Sequence, residues 1–291
     1  MTQFLQYLLS GLTNGSIYAV VAIGFSLIYS ATGILNLAQG EFVMLGGMVS
    51  CTLLTFVPLP LAVIGSVLVV AVIGGLLEWF FFRRLHGHSL LRLIIITIGL
   101  SILIQEAALH IWGEQARSLP YFTGNEISSI SIGGAALSPQ VLWVLATAAV
   151  VVTALHFFLH RSRLGAAMRA CASNPAAAML VGINTARMRT LSFVLSAAIG
   201  ALAGCVVSPI SMTQSDMGAG LAIKGFAAAI LGGLGNSMAA VTGGIIVGIA
   251  EAFSVSMLPA AYKDAVAFTL LLIVLFVRPH GLWGRPPAQR A

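Results

Sequence analysis

Asn36, Gln39 and Glu41 form a short polar strip inside an otherwise apolar stretch near the N-terminus. On a helix, Asn36, Gln39 and Gly40 are three and four positions apart, so they share one face. Together with the Glu41 carboxylate, that face can hydrogen-bond a polar solute or a neighbouring helix. Two interpretations stay open: the strip lines a path for a solute, or it is a capping cluster between helices.

A second set of charged residues interrupts the apolar stretches of the C-terminal third. Glu251 lies within GGIIVGIAEAFSVSML and has no basic residue within one helical turn. It therefore needs a distant partner, contact with water, or a proton. Lys224 and Asp216 flank the sequence MGAG, which predicts that they pair across it or that Lys224 extends to an interface. Glu106 is expected to be solvated near the outer edge of its own apolar stretch.

Motifs for catalysis and for metal or nucleotide binding are missing from the sequence. The three cysteines have no CxxC spacing, and the six histidines have no zinc-binding spacing such as HExxH. There is no nucleophile elbow and no pair of catalytic carboxylates. The sequence GxxxxGK[ST], which would indicate an ATP site, is also absent. We therefore expect no enzyme activity, no metal and no cofactor bound by this chain.

The composition excludes an ordinary soluble protein. Of the 291 residues, 59% are hydrophobic and only 8% are charged, against about 25% in soluble domains. Residues 1–40 and 42–77 contain no Asp, Glu, Lys or Arg, and each run is long enough for nearly two crossings of about 20 residues. These features predict an all-α, polytopic integral membrane protein.

The apolar runs predict eight or nine transmembrane helices in one domain that covers residues 1–291. The ninth candidate is a short segment near 221–236 that ends in GGLG, which indicates a broken or re-entrant helix. Residues 113–138 are expected to form an outer loop, with short strands as one option. The eight other spans are predicted at 4–29, 41–57, 61–82, 93–112, 139–160, 190–212, 238–257 and 260–278.

Eleven of the 14 basic residues cluster within 83–92, 161–189 and 278–290. By the positive-inside rule these segments face the cytoplasm, which puts the N-terminus outside and the C-terminus inside. Glu78 is expected to pair with the arginines at 83–84. Glycine pairs spaced four apart predict close helix packing within the bundle. These pairs are Gly11/Gly15, Gly200/Gly204 and Gly244/Gly248.

The cytoplasmic segment 161–189 is too long for a tight turn. Asn174 and Pro175 are typical of a helix start, and Gly182 of a helix end. A short helix flanked by arginines has two interpretations. It lies on anionic lipid, or it docks a soluble partner.

Four stretches, in this order, resemble the LivH-type permeases of ABC importers for branched-chain amino acids. They are GLTNGSIYAVVAIGFSLIYSATGILNLAQGEFVMLGG (11–47), GAAMRACASNPAAAMLVGIN (165–184), KGFAAAILGGLGNSMAAVTGGIIVGIAE (224–251) and VLFVRPHGLWG (274–284). The resemblance extends along nearly the whole chain. It implies a multi-pass protein of the bacterial plasma (inner) membrane that works by alternating access.

The resemblance also implies partners. They are a paralogous second permease, two cytoplasmic ATPase subunits that use the ATP, and a periplasmic or extracellular solute-binding protein; lipid surrounds the chain, and no nucleic acid is involved. The 161–189 loop would couple to an ATPase, with contacts from Arg169, Asn174, Ala177, Leu180, Gly182 and Ile183. Candidates for the translocation path or its gates are Asn36, Gln39, Glu41, Lys224 and Glu251.

Two alternatives remain at this point. Related permeases carry urea, amides or other amino acids, so the substrate is open. An ion-coupled secondary transporter would use Glu106 and Glu251 as ion sites and would need no ATPase. A membrane-embedded enzyme would need a catalytic cluster, and the sequence offers none.

Overall fold

The fold is described from a computed structural model. It covers residues 2–84, 90–125, 127–132, 135–256, 259, 262–278 and 280–284. Two of the arginines predicted to face the cytoplasm, Arg285 and Arg290, lie outside the described residues.

Eleven α-helices and one two-stranded hairpin are formed by these residues. Six of the helices are long and apolar enough to cross a membrane: α1 (Thr2–Thr32), α3 (Leu59–Phe80), α4 (Leu90–Trp112), α5 (Pro139–Arg161), α8 (Thr185–Ser211) and α10 (Ser237–Ser254). Three apolar helices are shorter: α2 (Gln39–Leu53), α9 (Met217–Gly232) and α11 (Lys263–Val277). The all-α, polytopic prediction is confirmed.

The two ends of the bundle differ. Strands β1 (Ile130–Ile132) and β2 (Ala135–Leu137) form an antiparallel hairpin in the predicted outer loop, and Gln6 of α1 donates a hydrogen bond to the Ala136 carbonyl. We call this the hairpin end. At the opposite end lie two short helices, α6 (Arg163–Ser173) and α7 (Pro175–Leu180). Helix α6 packs on the last turns of α1 and α5, and α7 packs on α6 and α8; we call this the α6–α7 end.

Two of the shorter helices, α2 and α9, start or stop inside the bundle. Helix α2 has 15 residues, about 22 Å at 1.5 Å per residue, so it is too short for a hydrocarbon core of about 30 Å. The non-helical residues 33–38 carry the chain from the end of α1 to its first turn. Helix α9 begins four residues before the predicted 221 and ends at Gly232, where Gly233 has a φ of 126°. The break at GGLG is therefore confirmed.

Glycines allow the central helices to approach closely. Side chains added at Gly11, Gly15 and Gly248 would meet the backbone of the facing helix, because α1 and α10 touch along these residues. Gly204 has the same relation to Val43 of α2. The prediction that the spaced glycines serve packing within the bundle is confirmed.

The α6–α7 segment follows its predicted caps. The Asn174 side chain accepts a hydrogen bond from the Ala177 amide at 3.0 Å and so begins α7. Gly182, with a φ of 83°, ends the turn that follows it. The Asn184 side chain then accepts from the Arg187 amide and begins α8. Residues 161–189 thus form a rigid helical connection.

Candidate functional site

Four charged side chains from three helices meet near the hairpin end. Lys224 extends from α9, Glu251 lies on α10, and Lys263 and Asp264 form the first turn of α11. The Lys224 Nζ atom is 2.9 Å from Glu251 Oε1 and 2.7 Å from Asp264 Oδ1. The Lys263 Nζ atom is 3.4 Å from the same Glu251 oxygen. We call these four residues the charge cluster, and its formal charge is zero.

Each of the three N–H donors of Lys224 has an acceptor in the protein. An ammonium group has three N–H donors. Its acceptors are the Glu251 and Asp264 carboxylates and the Tyr18 hydroxyl, which lies 3.3 Å away on α1. Lys224 therefore ties α1, α9, α10 and α11 together and has no donor left for a ligand.

Glu251 is the buried member of the cluster, with only 1% of its side chain exposed. Its Oε1 atom receives both lysines, whereas its Oε2 atom has no hydrogen-bond partner within the part of the chain that the structure describes. Beside it lies a cavity of about 220 Å³, lined by Glu251 and Lys263 and by polar side chains of α1. A buried carboxylate oxygen without a donor is costly, which marks this cavity as a candidate site.

The Glu41 carboxylate forms a second buried polar site. Its Oε1 atom accepts a 2.7 Å hydrogen bond from the Ser101 hydroxyl of α4. Its other oxygen lies against Gly218 in the first turn of α9, and no described residue donates a hydrogen bond to it. A negative group at a helix N-terminus interacts favourably with the helix dipole. Glu41 thus joins α2, α4 and the start of the short helix α9.

Asn36 and Gln39 are buried between helices. The Gln39 side-chain oxygen accepts a 2.7 Å hydrogen bond from Ser196 of α8, and its amide nitrogen donates to the Ser196 carbonyl at 3.3 Å. The Asn36 side chain accepts from the Ala38 amide just before α2. Of the two interpretations of this strip, these contacts favour a cluster between helices.

The predicted coupling residues lie together on the α6–α7 segment. Leu180 has 89% of its surface exposed, and Ala177 on the same short helix is exposed as well. Ile183 is half-buried and packs against the cluster beneath α7. The remaining members of the set, Arg169, Asn174 and Gly182, are exposed.

One predicted ion pair is wrong, and one lies partly outside the described side chains. Lys224 pairs with Glu251 and Asp264 rather than with Asp216, because α9 carries its side chain toward α10 and α11. Glu78 accepts a 2.5 Å hydrogen bond from Thr190 and pairs with Arg189 at 3.7 Å, since α3 packs on α8. Its predicted pairing with the arginines at 83–84 stays a prediction, because the Arg84 side chain lies outside the described part of the chain. Sequence reasoning also missed Lys263 and Asp264. Their only signal was two charges at the start of an apolar run.

This arrangement defines a class of protein. A bundle of apolar helices, three of them short, encloses buried charges and an open polar cavity near one end. Such broken helices around polar groups are typical of membrane transporters.

The chain belongs to the family described as the permease component of the branched-chain amino acid transport system, whose model matches residues 7–275. It is 35% identical to the high-affinity branched-chain amino acid transport system permease protein BraD of Pseudomonas aeruginosa, over 99% of this chain and 98% of that one. The permease protein LivH of Escherichia coli is 34% identical over 99% of this chain and 97% of its own length. This chain is therefore a permease subunit of an ABC importer in a cell membrane.

A solved structure supports the fold alone. A chain of PsaBC from Streptococcus pneumoniae, in complex with Fab, superposes with a TM-score of 0.51 over 96% of this chain and 94% of that one. The sequence identity is 12%, so this likeness carries no information on substrate.

Proposed function

We propose that this permease carries branched-chain amino acids across the bacterial inner membrane by alternating access. The observation that carries the proposal is the full-length similarity to permeases named for this substrate class. A cavity lined by one acidic and one basic side chain, Glu251 and Lys263, supports it, because a zwitterion carries one charge of each sign.

The complete importer pairs this chain with a second, paralogous permease, two cytoplasmic ATPase subunits and an external solute-binding protein. ATP is bound and hydrolysed by the ATPases, and this chain acts as one permease domain without catalysis, metal or cofactor. As candidate gate residues, Asn36, Gln39 and Glu41 stabilise the start of α2. Lys224 and Glu251 lie beside the translocation path.

The α6–α7 segment couples the permease to an ATPase. Leu180 and its neighbour Val181 are 89% and 76% exposed, an apolar tip that is costly in water and suits a groove on a partner. The exposed Arg169 supplies a positive charge on the neighbouring helix α6. In this orientation the α6–α7 end and the C-terminus are cytoplasmic, which agrees with the basic residues there.

Two measurements test the proposal. Gentle purification of the chain from its native membrane should bring down an ATPase and a second permease. Deleting the chain should remove high-affinity uptake of leucine, isoleucine and valine, and restoring it should return that uptake. Normal leucine uptake without the chain, together with loss of urea or amide uptake, would replace the proposed substrate.

A further inference from the structure

The 220 Å³ cavity near the hairpin end is built from both polar and apolar surfaces. Helix α1 contributes Tyr7, Ser10 and Asn14, and α10 and α11 contribute the Glu251 and Lys263 groups. Ala252 and Val255 add an apolar wall. Ligand sites for drug-sized molecules measure about 300–1,000 Å³, so this cavity suits a smaller solute.

The cavity wall carries two charged groups, a buried carboxylate from Glu251 and a half-exposed ammonium from Lys263. Glu251 Oε2 accepts no hydrogen bond from the described residues. The Lys263 ammonium has one ion-pair partner among those residues and 43% of its side chain is exposed, so it keeps donors for a second partner. Lys224 fixes the Glu251 carboxylate from behind through the other oxygen, Oε1. The cavity wall therefore carries an anion and a cation side by side, with Lys263 Nζ 3.4 Å from Glu251 Oε1.

Exposure of the charge cluster indicates that the cavity opens to water. Asp264 and Lys263 are 63% and 43% exposed although they begin an apolar helix. Charges with this exposure are expensive against acyl chains and are stable against water or a polar partner. Tyr7 and Ser10 lie one to four residues from Gln6, which contacts the β-hairpin, so the opening is on the hairpin side.

We propose that this cavity is an entry site that holds the head group of a zwitterionic α-amino acid. Glu251 Oε2 accepts from the α-ammonium group, the Lys263 ammonium donates to the α-carboxylate, and Ala252 and Val255 contact the aliphatic side chain. Asn14 and Ser10 add neutral hydrogen-bonding groups on the opposite wall. The inference rests on the proposed function for the choice of solute. It identifies where the permease itself binds that solute.

The test uses the assembled importer in nanodiscs, without nucleotide, and the variant Ser10→Cys labelled by a small charged thiol reagent. Labelling of the unmodified complex gives the background from the three native cysteines. Leucine at about ten times its Kd should slow labelling about tenfold, because about one site in ten stays empty.

The matched control is Ser256→Cys. Ser256 is exposed, does not line the cavity, and its hydroxyl bonds to its own helix at the Phe253 carbonyl. Its labelling should be unchanged.

Two leucine analogues test whether the site binds the ammonium group and the carboxylate of the ligand. Loss of the ammonium group in 4-methylpentanoate, or of the carboxylate in 3-methylbutylamine, should abolish protection. The variant Lys263→Gln should raise the leucine concentration needed for protection about tenfold, since a charge-assisted hydrogen bond contributes about 1.5 kcal/mol or more. Its melting temperature should stay close to that of the wild type, because 43% of the side chain is exposed and Lys224 still pairs with Glu251.

The outcomes separate the two proposals. If the wild-type complex imports leucine while leucine leaves Ser10→Cys labelling unchanged, the site is wrong and the proposed function stands. The site is also wrong if 4-methylpentanoate protects as well as leucine does, because the ammonium group then contributes nothing to binding. If the complex imports none of the three branched-chain amino acids, the proposed substrate is wrong and the site falls with it.

Discussion

Replacing Lys224 by Met removes the centre of the charge cluster with little change in side-chain length. The substitution deletes three interactions of one ammonium group, with Glu251 at 2.9 Å, Asp264 at 2.7 Å and Tyr18 at 3.3 Å. Asp264 is 63% exposed and can be solvated, whereas only 1% of the Glu251 side chain is exposed, so water compensates poorly for the lost ammonium group. Glu251 is left with Lys263 at 3.4 Å as its described ionic partner.

The expected loss of stability follows from that buried carboxylate. Removing one partner of a buried ion pair costs about 3–5 kcal/mol. Replacing both partners by apolar residues of similar volume is close to neutral. Lys224→Met should therefore lower the free energy of unfolding by about 3 kcal/mol or more, and the double variant Lys224→Met/Glu251→Met should recover most of that loss.

The assay is a denaturant titration of the purified chain in mild detergent, read by far-ultraviolet circular dichroism. Lys263→Met is the matched control, because it removes an ammonium group that is 43% exposed. Its 3.4 Å contact with Glu251 is the longer of the two lysine contacts, and Lys224 at 2.9 Å remains, so this control should lose less stability than Lys224→Met. The reasoning fails if Lys224→Met unfolds within about 1 kcal/mol of the wild type, or if the double variant is as unstable as the single one, since breaking a buried pair costs more than that.

Three further predictions concern other parts of the molecule. Gly182 has a φ of 83°, so Gly182→Val should cost about 1–2 kcal/mol locally and reduce ATP-linked uptake at normal membrane insertion, while Gly182→Asn should transport like the wild type. A Cβ at Gly248 would meet the backbone of Gly15, so Gly248→Ala should lower unfolding stability by about 1–3 kcal/mol. Gly99→Ala in α4, where the added carbon meets no neighbouring helix, should not destabilise and should raise unfolding stability by up to about 1 kcal/mol. Glu41→Leu removes the acceptor of a 2.7 Å hydrogen bond and should destabilise by about 2 kcal/mol, and wild-type stability of this variant would contradict the role given to Glu41.

Local sequence signals predicted the helices and their ends. Long apolar runs specify membrane-spanning helices whatever their neighbours, because the bilayer leaves few other ways to satisfy the backbone. Asn174 begins α7 with a side-chain hydrogen bond, and Gly182 ends the following turn with a positive φ. Both interactions involve only neighbouring residues, so the sequence predicted them. The break after Gly232 was readable for the same reason.

Pairing between distant charges was not readable. Lys224 and Glu251 are 27 residues apart, and they meet because α9 and α10 fold back on each other. The sequence offered Asp216 as a nearer partner, and the helix direction turned Lys224 away from it. Glu78 likewise contacts Thr190, 112 residues away, through the packing of α3 on α8.

The cavity was also beyond the reach of sequence analysis. Its walls come from the first turns of α1, the last turns of α10 and the first residue of α11. Tyr7, Ser10 and Asn14 are ordinary polar residues of an apolar helix and carry no motif. Only the packing of α1 on α10 sets them opposite Glu251.

The central claim is that this chain moves branched-chain amino acids only when partner ATPases supply the energy. Its most direct test is uptake of radiolabelled leucine into proteoliposomes that contain the purified importer and the external binding protein. The account predicts accumulation with enclosed ATP, none with enclosed ADP, and no change when an ionophore collapses the proton and sodium gradients. Accumulation that persists without ATP and disappears with the ionophore would contradict it and would identify an ion-coupled transporter.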